Sequence, residues 1–417
     1  MTPLAFSTLF VAALAVSLAI RYWLAGRQVR HVARHRGAVP EAFAQRVPLQ
    51  AHQRAADYTV ARVRFGLLEA AFGSAVLVGF TLLGGLQWLQ DAWLALLPDS
   101  PLLRQVLLVS SVVLVGGILD LPMDWYRQFR LEQRFGFNRM SLRLWIADLF
   151  RGAAIGAALG VPLAAAALWL MRSAGQSWWL WVWALWIAFS LFVMWLYPSV
   201  IAPMFNRFEP LPPGPVRTRV EALLARCGFA ARGLFVMDGS RRSAHGNAYF
   251  TGFGRARRIV FFDTLLSRLD EDEIEAVLAH ELGHFRLKHI RKRILLGMAT
   301  SLAGLWLLGL LARQPWFYQG LGVGAPVDFE ALALLLFFLA LPAFTFPLQP
   351  LFSMLSRRHE FEADAFAARN ARASALASAL VKLYEDNAST LTPDPVHSAF
   401  HDSHPPAAQR IGRLLAS

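Results

Sequence analysis

His280-Glu281-Leu282-Gly283-His284 sets two imidazoles four residues apart with a carboxylate between them. On a helix such residues share a face, so both rings can reach one ion. Two neutral imidazoles suit Zn²⁺, and an adjacent carboxylate can take a proton from an activated water. The chemistry suggested is hydrolysis of a peptide bond. A catalytic zinc usually takes three protein ligands and leaves a fourth position open. The preferred third ligand is Glu360, in Ser356-Arg357-Arg358-His359-Glu360-Phe361-Glu362-Ala363-Asp364. Asp364 lies one turn further on the same face and can accept the free ring N–H of a ligand imidazole. Glu362 points elsewhere if the segment is helical. Cys227 is the only cysteine, which excludes an intrachain disulfide and a thiolate cage.

Around this string the chain must supply a helix and a partner for it. Asp270, Glu271, Asp272 and Glu273 open a helix predicted over Leu269–His289, where acids favour the positive end of the helix dipole. Ile274, Val277, Leu278 and Leu282 follow at helical spacing. Just upstream, Asn247–Thr251 and Arg258–Phe262 read as two strands of a hairpin turning at Gly252-Phe253-Gly254. Val216–Leu224 and residues from about Ser356 to Asn370 read as further helices.

The 417 residues are 56% hydrophobic and 17% charged, against about 25% charged in a soluble domain. Seven stretches are long and apolar enough to cross a bilayer. They lie near 4–23, 65–89, 104–123, 150–171, 178–199, 294–312 and 329–352, with Pro342, Pro347 and Pro350 kinking the seventh. No Lys or Arg precedes the first, so it reads as a retained span rather than a cleaved signal. The expected fold is mainly α: a polytopic membrane protein carrying an α+β zincin-like domain. The membrane part occupies 1–199 and 294–352, and the catalytic domain is assembled from 200–293 and 353–417. The net charge of +13 gathers beside apolar spans, which fits the positive-inside rule and not nucleic-acid binding. Arginines crowd the loops after spans one and three, so the N-terminus is expected outside and both catalytic segments in the cytoplasm. Richness in Ala, Leu and Arg suggests a bacterial inner membrane.

Several ordered segments together resemble the CAAX prenyl protease type I family of seven-span zinc metalloproteases. They are Glu132–Asn138 (E-Q-R-F-G-F-N), Ala202–Phe208 (A-P-M-F-N-R-F), Ser243–Gly254 (S-A-H-G-N-A-Y-F-T-G-F-G), Arg258–Leu266, His280–His284, Ser356–Phe366 and His404-Pro405-Pro406 with Arg410. The resemblance implies one zinc per chain on His280, His284 and Glu360, with Glu281 as general base and acid. It implies Asp364 behind the ligands, and His404 and Arg410 in a tail motif near the site, His404 placed to stabilise the oxyanion. It implies that Asn247, with Ala248 and Tyr249, belongs to an edge strand that pairs with the substrate backbone. It also implies a large water-filled chamber among the helices. Gln409 stands where relatives often carry Glu. The expected activity is endoproteolysis near the C-terminus of a peptide or protein, lipidated or not, at a lipid bilayer; the alternative is an HtpX-like quality-control protease. A polytopic transporter would show internal repeats and intramembrane charges, and neither is evident. A zinc-binding pseudoprotease is opposed by the intact Glu281. His289, His359, His397 and His401 read as solvated, and His245 as structural or cleft-lining. The Trp178, Trp179, Trp181, Trp183 cluster reads as an interfacial belt, and Arg255, Arg257 and Arg258 as a solvated hairpin edge.

Overall fold

The computed structural model describes residues 1–229, 233–251, 258–324, 326 and 328–416. Among them, seven helices are long and apolar enough to cross a membrane. They begin with Pro3–His35, Leu49–Phe80, Pro101–Tyr126, Leu142–Ser173 and Trp178–Leu196. The sixth is His289–Leu311. The seventh is Phe329–Thr345, continued through a single tight turn at Phe346–Leu348 into Gln349–Asn370. Many apolar side chains on these helices, such as Val113, Leu114, Ile118, Phe150, Trp169 and Trp195, are exposed. That pattern suits a lipid surround and would be a liability in water.

The helices run past the limits that hydropathy suggests. Leu49–Phe80 starts sixteen residues before the apolar stretch expected at 65, because its polar half continues the helix beyond the hydrocarbon. It also stops short of residue 89. Thr81 leaves helical geometry, Gly84 turns at φ +80, and Gly85–Leu96 forms a separate helix. Of the three prolines expected to kink the seventh span, Pro342 lies inside the helix Phe329–Thr345. Pro347 lies in the tight turn and Pro350 in the first turn of the following helix, where a missing N–H is tolerated. The tryptophan cluster is not a belt throughout. Trp178 is buried, Trp183 donates its indole N–H to the Met298 carbonyl at 3.1 Å, and Trp179 packs on Gly309. Trp181 remains exposed.

The remaining chain forms a second core around a four-stranded sheet. The strands are β1 (Phe208–Pro210), β2 (Gly233–Met237), β3 (Ala248–Thr251) and β4 (Arg258–Phe262), in the order β1-β2-β4-β3. The β3–β4 pair is the expected antiparallel hairpin, with Ala248 opposite Phe261 and Thr251 opposite Arg258. Its turn, with Gly252–Gly254, Arg255 and Arg257, lies outside the described residues. Strands β1 and β2 were not foreseen; β2 runs parallel to β4. Ile259, Val260 and Phe261 of β4 are fully buried, as befits a strand flanked on both sides. The tail returns to the first membrane helix. Arg27 pairs with Asp394 at 3.0 Å, and the Asp394 N–H donates to the Gln28 side-chain oxygen at 2.7 Å.

Candidate metal centre

The helix Glu271–Arg286 starts with a reciprocal cap. The Asp270 carboxylate accepts from the Glu273 N–H and the Glu273 carboxylate from the Asp270 N–H, each at 2.9 Å. Two of the helix's unpaired donors are thereby satisfied. Glu273 is itself buried, accepting from Ser378 and Lys382 at 2.7 Å, which locks the helix to Ala373–Asp386. Ile274, Leu278 and Leu282 fill the core, and His280 and His284 emerge on the face turned to Gln349–Asn370. The two helices meet at Gly283. A Cβ there would lie 3.0 Å from the Ala363 Cα and 3.1 Å from its carbonyl oxygen. The glycine in the His-Glu-Leu-Gly-His string is therefore a requirement of close helix approach, and that approach brings the acid to the imidazoles.

Three expected ligand residues converge. The His280 and His284 Nε2 atoms are 3.2 Å apart, and the Glu360 carboxylate lies 3.5 Å from the first and 3.2 Å from the second. One ligand-capable atom from each falls within 4.8 Å of the others. The buried Glu360 Oε2 has no hydrogen-bond partner, a condition that a bound cation resolves. The donor set of two imidazoles and one carboxylate fits a catalytic divalent metal with an open position. Burial alone would lower the His280 pKa, but the adjoining carboxylates of Asp364 and Glu360 override that and raise it to about 9. The pocket is thus built to hold positive charge.

Asp364 sits behind His280. The His280 Nδ1–H donates to its carboxylate at 2.8 Å, so Nε2 is the ring nitrogen that faces the site and would ligate a metal. Asp364 is in turn held by two bonds from Arg410, at 2.6 and 2.8 Å. Arg410 and Asp364 are both buried. Arg410→Met should therefore destabilise the protein by about 3–5 kcal/mol, because it strands buried carboxylates without their cation. The check is the unfolding midpoint of the detergent-solubilised, metal-free protein, and an unchanged midpoint contradicts the expectation.

Glu281 lines the same cavity, whose volume is about 890 Å³. Burial pushes its carboxyl above the ordinary range, opposed by the charges of His280 and His284. A base of raised pKa is better matched to proton transfer near neutrality. His404, preceding two prolines, places Nε2 3.4 Å from Glu360. Asn247 and Ala248 also line the cavity, whereas Tyr249 faces a separate hollow with Tyr197 and Phe262. Strand alternation accounts for the split. Among the described residues β3 pairs only with β4, so its other edge is open.

Sequence reasoning missed several neighbours. Tyr384 lines the cavity, its hydroxyl pushed up to about 12 by burial, and nothing in its local sequence distinguishes it. His289 and His359 are buried and stack at 4.0 Å, contrary to their reading as solvated. Their basic neighbours Lys288, Arg291 and Arg358 disguised them. His397 and His401 are not in a loop. They lie on the helix Pro395–His401 and line the cavity, with burial pushing His397 down to about 4. His245 is structural. It stacks on Phe137 at 4.4 Å and meets the Asn387 side chain at 2.9 Å. With the Asn138–Ser243 bridge, it fastens the F-G-F-N segment to the chain entering β3. Glu362 points away from Glu360, as helical spacing required, and pairs with His289 and Arg358.

Comparison with known proteins follows the same line. Residues 28–207 match the family described as CAAX prenyl protease N-terminal, five membrane helices, and residues 210–417 match peptidase family M48. A CAAX prenyl protease 1 homolog of Arabidopsis thaliana is 36% identical over 76% of this chain and 75% of its own length. CAAX prenyl protease 1 of Saccharomyces cerevisiae is 34% identical over 74% and 70%. The crystal structure of S. mikatae Ste24p superposes with a TM-score of 0.92 at 27% identity, covering 98% of this chain and 99% of that one.

Proposed function

This chain belongs to peptidase family M48, among the CAAX prenyl proteases, and from that premise we propose that it is a zinc endopeptidase cutting near the C-terminus of peptide or protein substrates, lipidated ones included. That it is an integral-membrane metallopeptidase follows from the family and the seven helices. The zinc, the site roles and the substrate class are our reading. The observation that carries it is the convergence of His280, His284 and Glu360, with His280 and Glu281 lining a large cavity. The relatives' names supply the substrate class.

Zinc held by those three residues would supply Lewis acidity, lowering the pKa of the attacking water and polarising the scissile carbonyl. Glu281 takes the proton from that water on its carboxylate as the oxygen attacks, then delivers it to the leaving amine nitrogen. His404 donates a ring N–H to the oxygen on which negative charge develops. Asp364, fixed by Arg410, keeps the His280 proton on Nδ1 and its Nε2 free.

The open edge of β3 holds the substrate extended by strand addition. The Phe262 N–H donates to the Asn247 carbonyl at 3.0 Å, so alternation turns the Ala248 N–H outward, where the Asn247 side chain now accepts it at 2.8 Å. Ala248→Pro removes that outward donor without breaking the β3–β4 ladder. It should raise KM roughly three- to tenfold, the worth of one hydrogen bond, with kcat little changed. Steady-state kinetics on a peptide substrate decide this, and an unaltered KM contradicts strand addition at Ala248.

Arginine-rich loops after the first and third spans support a topology with the N-terminus outside and both catalytic segments on the cytoplasmic side. The Ala-, Leu- and Arg-rich composition supports a bacterial inner membrane. The function is tested by incubating the purified protein with matched prenylated and unprenylated peptides, with and without chelator, and identifying fragments by mass. Chelator-sensitive cleavage near the C-terminus is expected. Cleavage that survives metal removal, or none with either peptide, contradicts the reading.

A further inference from the structure

The two imidazoles of the site are held from behind by different means. His280 has a carboxylate, Asp364. His284 has no acid of its own; its Nδ1 lies 3.0 Å from the Nδ1 of His289. The other nitrogen of His289, Nε2, is 3.0 Å from the Glu362 carboxylate. His289 is 1% exposed, its ring fixed by stacking on His359 at an interplanar angle of 12°. The chain reaches this position through Lys288, a non-glycine residue at φ +61. That left-handed turn ends the helix carrying His284 and folds His289 back against it.

One arrangement of protons satisfies the contacts behind His284. A ligand imidazole using Nε2 must carry its proton on Nδ1, so His284 Nδ1–H donates to His289. His289 then accepts at Nδ1 and must carry its own proton on Nε2, which donates to Glu362. The carboxylate accepts and also receives the Arg358 Nε–H at 3.0 Å. No nitrogen is left with two protons or none facing a partner, and no imidazole need be charged.

We propose that His289 and Glu362 are positioning residues for the metal, a relay that fixes the tautomer and ring orientation of His284 as Asp364 fixes those of His280. The proposal rests on the assignment of His284 as a ligand. It gives Glu362, which ligates nothing, a definite role. Neighbours that orient metal ligands typically contribute 10–100-fold in metal affinity, and the relay should fall in that range.

The test reads zinc affinity rather than turnover, by competition with a chromophoric chelator on the full-length protein in detergent. His289→Phe keeps the ring packing and removes the acceptor, and should weaken zinc binding about 10–100-fold. His289→Gln offers a carbonyl acceptor and should recover most of that loss. Glu362→Gln keeps an acceptor but removes the charge, and should weaken binding a few-fold. A packing role alone predicts that His289→Phe binds zinc at least as tightly as His289→Gln, and that result overturns the relay. So does unaltered affinity in both His289→Phe and Glu362→Gln. The underlying site is judged separately: if His284→Ala binds zinc as the parent does, the assignment of His284 as a ligand fails and the relay with it.

Discussion

Glu281→Gln is expected to lower kcat/KM by about 10²–10⁴, the usual contribution of a general acid–base group, while one zinc per chain stays bound. The variant is nearly isosteric, and Glu281 lies in the cavity wall beside the ligands without being one of them. It removes the only step the mechanism gives this residue, carrying a proton from water to the departing amine. The separation of the two readouts is the point. Activity should collapse and metal content should not. A variant that cleaves normally rejects Glu281 as the base, and one that loses zinc makes it part of the metal's hold.

Glu360→Gln should produce the opposite pattern. An amide is a far poorer ligand than a carboxylate, and groups behind metal ligands already contribute about 10–100-fold, so losing a ligand should weaken zinc binding more than about hundredfold. Activity falls with occupancy and is partly restored by excess zinc. The buried Oε2 atom of Glu360, which lacks a hydrogen-bond partner, supports the same conclusion. Glutamine would place there an amide that needs hydrogen bonds the site does not provide.

The site was unusually legible in the sequence because its chemistry obeys helical spacing twice. His280 and His284 share a face at i, i+4, and Glu360 and Asp364 repeat the interval on the second helix. The acidic start at Asp270–Glu273 announced the helix, and the structure shows the cap in full. What stayed hidden depends on contacts that no local pattern encodes. β1 and β2 are short, and β1 ends on a proline. They become strands by pairing with each other and, through β2, with β4. His289 stands among lysines and arginines and looks solvated, yet the turn at Lys288 buries it against His284. The second membrane helix outran its apolar stretch because hydropathy marks where a helix meets hydrocarbon, not where its hydrogen bonding ends. Ala248 and Tyr249 part company because successive strand residues face opposite ways, and only the structure shows which of the two meets the cavity.

The central claim is that a single zinc ion sits among His280, His284 and Glu360. Zinc K-edge X-ray absorption on the purified protein measures it directly. The expected result is one zinc per chain, with two imidazoles and oxygen ligands at about 2.0–2.2 Å and the loss of one oxygen contribution in Glu360→Gln. Substoichiometric zinc in the active protein, or a first shell without histidine, would contradict the account.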